Sequence, residues 1–365
     1  MKVALVHEYL NQFGGAERVL QIFCSIFPDA PIYTLFYDPE ATGKVFEGKE
    51  IRTSFLQRMP FAKRYHKFFP LIMPFGVEQF DFTDFDLVLS ISSSFAKGVI
   101  TRPETKHICY CLTPPRFLWD DSQKFVEDFA YPSYIKKFLP PFITYLRMWD
   151  REASLRVDEF WSISNFVKDR IKKYYLRGAT IIHPPVNISK FHISQNVGGY
   201  FFMAGRLVSY KRFDLAIRVF NDLGWPLKIA GVGPEMKNLK RIARKNIEFL
   251  GLVPDDQLAD LYASAKAFIF PQEEDFGITL LESMASGRPV VAYRGGGAVE
   301  TVNENVTGVF FDEQSEASLA DALKKFDASS FDLVKCRNWA AKFDVPLFRD
   351  KIIDQLTVSN LSIDL

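Results

Sequence analysis

Two glutamates eight positions apart, Glu274 and Glu282, carry the densest chemistry in the chain, within the run PQEEDFGITLLE at 271–282. The apolar stretch before them, 265–270, reads as a buried strand. Gly277 breaks the chain, and ITLLESMASG at 278–287 keeps helical apolar spacing up to a stop at Gly287. Glu274 is therefore expected on a strand-to-helix loop at the carboxyl edge of a parallel sheet, where side chains reach into a crevice. Glu282 is expected about two turns into the helix. The amides of Phe276, Gly277 and Ile278, with Thr279 next in line, open that helix and suit an anion. A loop carboxylate can hold sugar hydroxyls, the amides a phosphate, and the second carboxylate a ribose diol. On spacing alone, a helix cap with a solvated face is the commoner meaning of such a pair. The Phe276-Gly277 step, the preceding strand and the downstream SGRPVVAYRGGG at 286–297 tip the balance towards a ligand site.

Other loops of the same kind surround it in the second half. A strand at 200–204 leads into GRLVSYKRF at 205–213, whose Arg206 and Lys211 suit a diphosphate, although paired surface bases around a turn are common. Strands follow at 227–231 and 247–250, the latter closing on Gly251, Leu252, Val253 and Pro254, and a capped helix is expected at 255–263. The strand at 290–293 is expected to be the last of the core, with a mobile glycine loop at 294–300 beyond it.

The first half alternates in the same way. A strand at 2–7 runs into NQFGGAE and a helix at 17–27; Gly14 and Gly15 let the backbone approach a ligand at the helix start. There is no GxGxxG, and no acidic residue placed for an NAD ribose, so a dehydrogenase reading is poor. Strands are expected at 32–36, 85–92, 106–112, 160–164 and 180–183, with helices at 141–156 and 165–175. Ser92, Ser93 and Ser94 follow one strand and could bond phosphate or cap a helix. Leu112, Thr113, Arg116 and Trp119 follow another, in LTPPRFLW. Pro184 and Pro185 end the domain. Strands alternating with helices imply doubly wound parallel sheets.

Composition narrows the class. The 365 residues suffice for two domains, and 48% hydrophobic with 24% charged residues describes a packed soluble protein. A net charge of +1 argues against a nucleic-acid partner. Cys24, Cys109, Cys111 and Cys336 form no CxxC and lack histidine partners at zinc spacing, so reduced thiols and a cytoplasmic location are expected. The N-terminus is too short in apolar residues for a signal peptide, and no run reaches membrane-spanning length. From 51 to 82, Arg52, Arg58, Lys63, Arg64 and Lys67 interleave with Phe55, Leu56, Met59, Phe61, Phe68, Phe69, Leu71, Ile72 and Met73. Such a segment can lie on an anionic membrane, here the inner face of the plasma membrane, or pack its apolar groups into the domain.

The Glu-x7-Glu run with its Phe-Gly, GRL followed by a lysine, GGAERV and TPPRFLW together resemble the retaining nucleotide-sugar glycosyltransferases of glycosyltransferase family 4 (group 1). That large two-domain family includes mannosyl- and glucosyltransferases and sucrose synthase. The resemblance spans essentially the whole chain and is nearest to bacterial mannosyltransferases of surface-polysaccharide synthesis. It implies an α/β GT-B fold with two facing Rossmann-like domains. Residues 1–184 would bind the acceptor, residues 185–342 the nucleotide sugar, and the helix within 343–365 would return to the first domain. Arg206 and Lys211 would take up charge on the departing diphosphate and Glu274 would orient the sugar, as the catalytic set. Glu282, Gly14, Gly15, Phe276, Gly277, Ile278, Thr279, Leu252 and Val253 would bind the donor. Leu112, Thr113 and Arg116 would contact acceptor or donor sugar, with Leu112 standing where relatives carry a histidine. No metal and no cofactor are expected beyond the nucleotide diphosphate sugar itself. The acceptor would be a glycan or lipid-linked saccharide. An epimerase of the same architecture and a catalytically silent nucleotide-sugar binder are the alternatives. An inverting transferase would need a base such as Glu8 or Asp120.

Overall fold

The computed structural model describes residues 1–59, 70–120, 139–359 and 361. Two compact units divide the chain: Met1–Ile182 with Lys351–Leu365, and His183–Asp350.

The first unit runs β1 (Val3–Leu10), α1 (Gly15–Ile26), β2 (Ile32–Tyr37), β3 (Ile51–Thr53), α2 (Met73–Glu78), β4 (Leu87–Ser92), β5 (Lys106–Cys111), α3 (Arg116–Trp119), α4 (Leu139–Leu155), β6 (Glu159–Ser162), α5 (Asn165–Tyr175) and β7 (Thr180–Ile181). The strands form one parallel sheet in the order β3-β2-β1-β4-β5-β6-β7. They read as nearly unbroken apolar runs because both faces of a parallel sheet are covered; every residue of β4 is buried. Ser164 starts α5 by accepting a hydrogen bond from the Val167 amide.

The second unit runs β8 (Phe201–Ala204), α6 (Phe213–Leu223), β9 (Leu227–Ala230), α7 (Met236–Ile242), β10 (Ile247–Gly251), α8 (Asp255–Ser264), β11 (Phe268–Phe270), α9 (Ile278–Ala285), β12 (Val290–Tyr293), α10 (Ala298–Thr301), β13 (Gly308–Phe311), α11 (Glu316–Lys325) and α12 (Leu333–Ala340). Its sheet is also parallel, in the order β10-β9-β8-β11-β12-β13. A final helix, α13 (Val345–Val358), spans the division between the units. Beyond it Ser359 donates to the Glu159 carboxylate of β6.

Several expectations need correction. The strand at 290–293 is not the last, since β13 adds a further rung beside it; its run GVFF opens on a glycine, which reads as a turn. The three-residue β3 lies inside the segment read either as a membrane face or as packed into the domain, and pairs with β2. In that segment Leu56 and Met73 are buried in the core, while Phe55 and Phe75 are exposed. Arg52 is not a free base, because Glu50 holds its guanidinium at 2.6 Å. Phe61, Lys63, Arg64, Lys67, Phe68 and Phe69 lie outside the described residues. The four cysteines are buried free thiols, and burial pushes the Cys24 thiol up to about 11.

Candidate functional site

Both sheets change winding direction at a central pair of strands. In the second unit the chain leaves β8 for β9 and β10, then returns to β11 on the other side of β8. The connections leaving the carboxyl ends of β8 and β11 therefore turn to opposite sides, the arrangement in which open parallel sheets receive a ligand. The exit loop of β8 carries Arg206 and Lys211, and that of β11 carries Glu274.

Lys211 and Glu274 meet there as an ion pair at 2.7 Å, with 13% and 19% of their side chains exposed. Gly205, at φ +149°, leaves room beside the pair: a Cβ there would stand 3.1 Å from the lysine Nζ. Burial on its own would lower the Lys211 pKa; the Glu274 carboxylate, assisted by Tyr210, more than offsets this and holds it above the usual lysine value. Gln272 Nε2 donates to Glu274 Oε1 at 3.3 Å. Arg206 is exposed and makes no ion pair among the described residues.

The main chain beneath Glu274 is tightly braced. Gly297 N donates to the Glu274 carbonyl at 2.8 Å. Gly296 has φ +58°, and a Cβ there would lie 2.2 Å from that carbonyl oxygen. Gly296 and Gly297 thus serve close main-chain approach within the loop at 294–300. Its Arg294 is clasped by Glu304 and Asp312, each at 2.6 Å.

Helix α9 starts after Gly277, which is left-handed at φ +90°. The amides of its first turn, from Ile278 and Thr279, have no acceptor within the helix, as for any helix start. The Thr279 hydroxyl is buried and unpartnered among the described residues, as is Gln272 Oε1. The Phe276 ring is buried, stacked on His183 at 5.4 Å and edge-on to Phe343. Only the main chain of Phe276 is therefore available to a ligand. Glu282 lies further along α9 and accepts from Tyr262 Oη of α8 at 2.9 Å. Tyr262 escaped the sequence reading because a buried tyrosine within a helix carries no pattern of its own. At the neighbouring strand ends Leu252 is 82% exposed and Val253 half-buried, joined by exposed Val232 after β9. These offer an apolar face, and Val232 too was not anticipated.

In the first unit, Gly14 and Gly15 open α1 after β1. Gly14 N donates to Glu17 Oε2 at 2.7 Å, the half of a capping box that a glycine N-cap allows. Glu17 Oε1 stands 3.6 Å from His7 Nε2, with both side chains buried. Leu112 is half-buried at the end of β5, its amide bonded to the Ser92 carbonyl. The Thr113 hydroxyl receives a hydrogen bond from Arg170 and donates to the Pro114 carbonyl. Arg116 is the first residue of α3. Trp119 is structural: its Nε1 donates to Asp150 Oδ2 at 2.8 Å, and its ring stacks on Tyr174.

Two readings fail here. Glu8 cannot serve as a free base, because its buried carboxylate accepts from Ser92 Oγ, Ser93 Oγ and the amides of Ser93, Ser94 and Ala96. The same bonds occupy the hydroxyls of Ser92 and Ser93 and the amide of Ser94, in the run that was expected to cap a helix or bind phosphate. Asp120 is likewise engaged by Arg170 and Tyr174. Among the described residues no group of three or more His, Cys, Asp or Glu is placed to hold a metal ion. No helix among them is long and apolar enough to cross a membrane.

Residues 188–342 match the family model Glycosyl transferases group 1, so the second unit carries a glycosyltransferase group 1 domain. An uncharacterized glycosyltransferase of Methanocaldococcus jannaschii is 27% identical over 184 residues, 48% of this chain and 52% of that protein. The GDP-mannose-dependent alpha-(1-6)-phosphatidylinositol monomannoside mannosyltransferase of Mycobacterium tuberculosis is 36% identical over 136 residues, 32% of this chain and 35% of that protein. These matches thus span about half the length of the first relative and a third of the second. Anabaena HepE, solved in complex with UDP and glucose, superposes with a TM-score of 0.74 at 17% identity, covering 98% of this chain and 99% of that one. The fold class is GT-B, with two parallel-sheet α/β domains of seven and six strands.

Proposed function

We propose that the protein transfers a hexose, of mannose type, with retention from a nucleotide diphosphate sugar to a glycan or lipid-linked saccharide in surface-polysaccharide synthesis. The observation that carries this is the meeting of Lys211 and Glu274 at the switch point of the second sheet, beside the opening of α9. Lys211 and Arg206, with the first-turn amides of α9, neutralise charge developing on the departing diphosphate. Glu274 orients sugar hydroxyls and Glu282 the ribose, while Leu252 and Val253 support the base. Thr279 supplies an unpartnered hydroxyl beside the phosphate-binding amides. The bond from the sugar C1 to the diphosphate breaks, and a bond from C1 to the acceptor oxygen forms on the same face. The leaving phosphate takes the acceptor's proton, which suits a chain whose candidate bases Glu8 and Asp120 are both engaged. Gly14 and Gly15 bind the donor, and Leu112, Thr113 and Arg116 contact acceptor or donor sugar. The mannose-type donor rests on the mycobacterial relative. Contact with an anionic membrane rests on the basic, aromatic run after β3, where Phe55 and Phe75 are exposed.

The test is a donor panel of GDP-mannose, UDP-glucose, UDP-GlcNAc and dTDP-sugars, read by thermal shift and by release of nucleotide diphosphate. Stabilisation and turnover with one donor are expected. A protein that no donor stabilises and that releases no nucleotide overturns the reading.

A further inference from the structure

Helix α4 has two faces. Ile143, Leu146, Asp150 and Ala153 point into the first unit and are buried. On the opposite side Pro141, Tyr145, Met148, Glu152 and Leu155 follow one another at intervals of four, three, four and three residues, and all are exposed. Tyr145, Met148 and Leu155 are 48%, 65% and 55% exposed. A surface helix normally keeps one apolar stripe, turned to the core. A second stripe at alternating four- and three-residue intervals is the seam by which one helix packs on another.

The seam also contains a receptacle. Met148, Arg151, Glu152 and Leu155 stand at i, i+3, i+4 and i+7, the four corners of the hole that receives a knob from a facing helix. They line a hollow of about 370 Å³ together with Tyr175, Leu176 and Arg177. Leu176, exposed and left-handed at the end of α5, extends its apolar rim. The seam supplies a matching knob. If two copies of α4 run antiparallel about a twofold axis through Met148, residue 145 of one stands level with residue 151 of the other. Tyr145 then enters the hole, with its ring against Arg151 and its hydroxyl beside Glu152. None of these three side chains has a hydrogen bond or ion pair among the described residues. The same register sets Met148 against its own copy and Pro141 opposite Leu155.

We propose that α4 is a self-association surface through which two copies of this chain pair antiparallel, Tyr145 of each seated in the Met148–Arg151–Glu152–Leu155 hole of the other. An isologous contact of this kind needs one self-complementary patch, which the seam provides. Glu152 in mid-seam decides against a bilayer as the occupant: an acyl layer would strand its carboxylate, whereas a second copy supplies a phenol hydroxyl. A single helix pair buries less than about 1,200 Å², so association is weak and concentration-dependent.

The experiment is sedimentation velocity of the full chain over roughly 1–100 µM, the range in which a small interface associates, joined to cysteine cross-linking. All four native cysteines are buried, so an introduced thiol reports on its own position. Met148→Cys should cross-link to itself on mild oxidation. Leu155→Cys should not, because its two copies would stand seven residues either side of the axis, about 20 Å apart along the helix. Tyr145→Ala and Glu152→Arg should each shift the protein to monomer, with unchanged circular dichroism and thermal midpoint. A monomer throughout this range overturns the proposal, as does equal cross-linking of the two cysteine variants. So does a monomer that binds anionic vesicles and loses them on Met148→Glu. None of these readouts involves nucleotide sugar, so the result stands apart from the proposed transferase activity.

Discussion

The Lys211–Glu274 pair predicts opposite effects from removing its two members. At 2.7 Å and an effective dielectric constant of about 20, the gross attraction is about 6 kcal/mol. Both groups are mostly removed from water, and that desolvation cancels much of the attraction, leaving a coupling of about 1–3 kcal/mol. A nucleoside diphosphate arriving at the crevice must draw Lys211 away from Glu274 or share it. Glu274→Gln removes the competing carboxylate, so diphosphate binding should tighten on the order of tenfold, the equivalent of about 1.4 kcal/mol. Turnover should nevertheless fall, because the sugar loses its orienting group. Lys211→Ala should weaken diphosphate binding and lower turnover on the order of a hundredfold, as expected for one lost electrostatic donor. Titration calorimetry with the nucleoside diphosphate of the active donor, on both variants and the double mutant, separates the cases. If Glu274→Gln weakens binding as much as Lys211→Ala does, the two residues do not compete and the reasoning fails.

Further predictions follow the same geometry. Excess EDTA should leave turnover intact, because cations and amides receive the diphosphate; strict dependence on Mn²⁺ or Mg²⁺ would refute this. Gly296→Ala should cost about 1–3 kcal/mol in stability through strain at a left-handed position and lower turnover by displacing the Glu274 main chain; an unchanged urea midpoint would contradict it. Burial alone would lower the His7 pKa, but Glu17 and Glu8 outweigh it and raise it above 6.5. Its contribution to stability is full below pH 6.5 and is lost as pH climbs through the raised value. The stability gap between wild type and His7→Gln should therefore narrow as pH rises, and a gap that widens would refute the ion pair. Leu112→His should shift preference towards a donor hydroxylated where the leucine offers only an apolar wall, over the corresponding deoxy sugar; an unchanged ratio in competition assays would show that Leu112 does not face the donor.

Most of the architecture was legible because parallel strands buried on both faces leave apolar runs, and helices between them carry caps and glycine stops. Val290–Tyr293 and Asn165–Tyr175 have the bounds their patterns give. The short strands β3 and β13 were missed: IRT at 51–53 has two polar residues in three, and GVFF at 308–311 opens on a glycine that reads as a turn. Of the site, the loops bearing Arg206, Lys211 and Glu274 and the helix bearing Glu282 were readable, as strand ends followed by glycine and a helix. What pairs with what was not. The bracing of Glu274 by Gly297, of Glu282 by Tyr262 and the filling of the serine turn by Glu8 are contacts between segments 20 or more residues apart, and no local spacing encodes them.

The most direct test of the central claim is mass spectrometry of an acceptor saccharide incubated with isotope-labelled donor and the full chain. The acceptor should gain one labelled hexose, with release of one nucleoside diphosphate, and Lys211→Ala, folded as the wild type, should lose most of this transfer. Release of nucleotide without labelled acceptor, or undiminished transfer by the Lys211 variant, would contradict it.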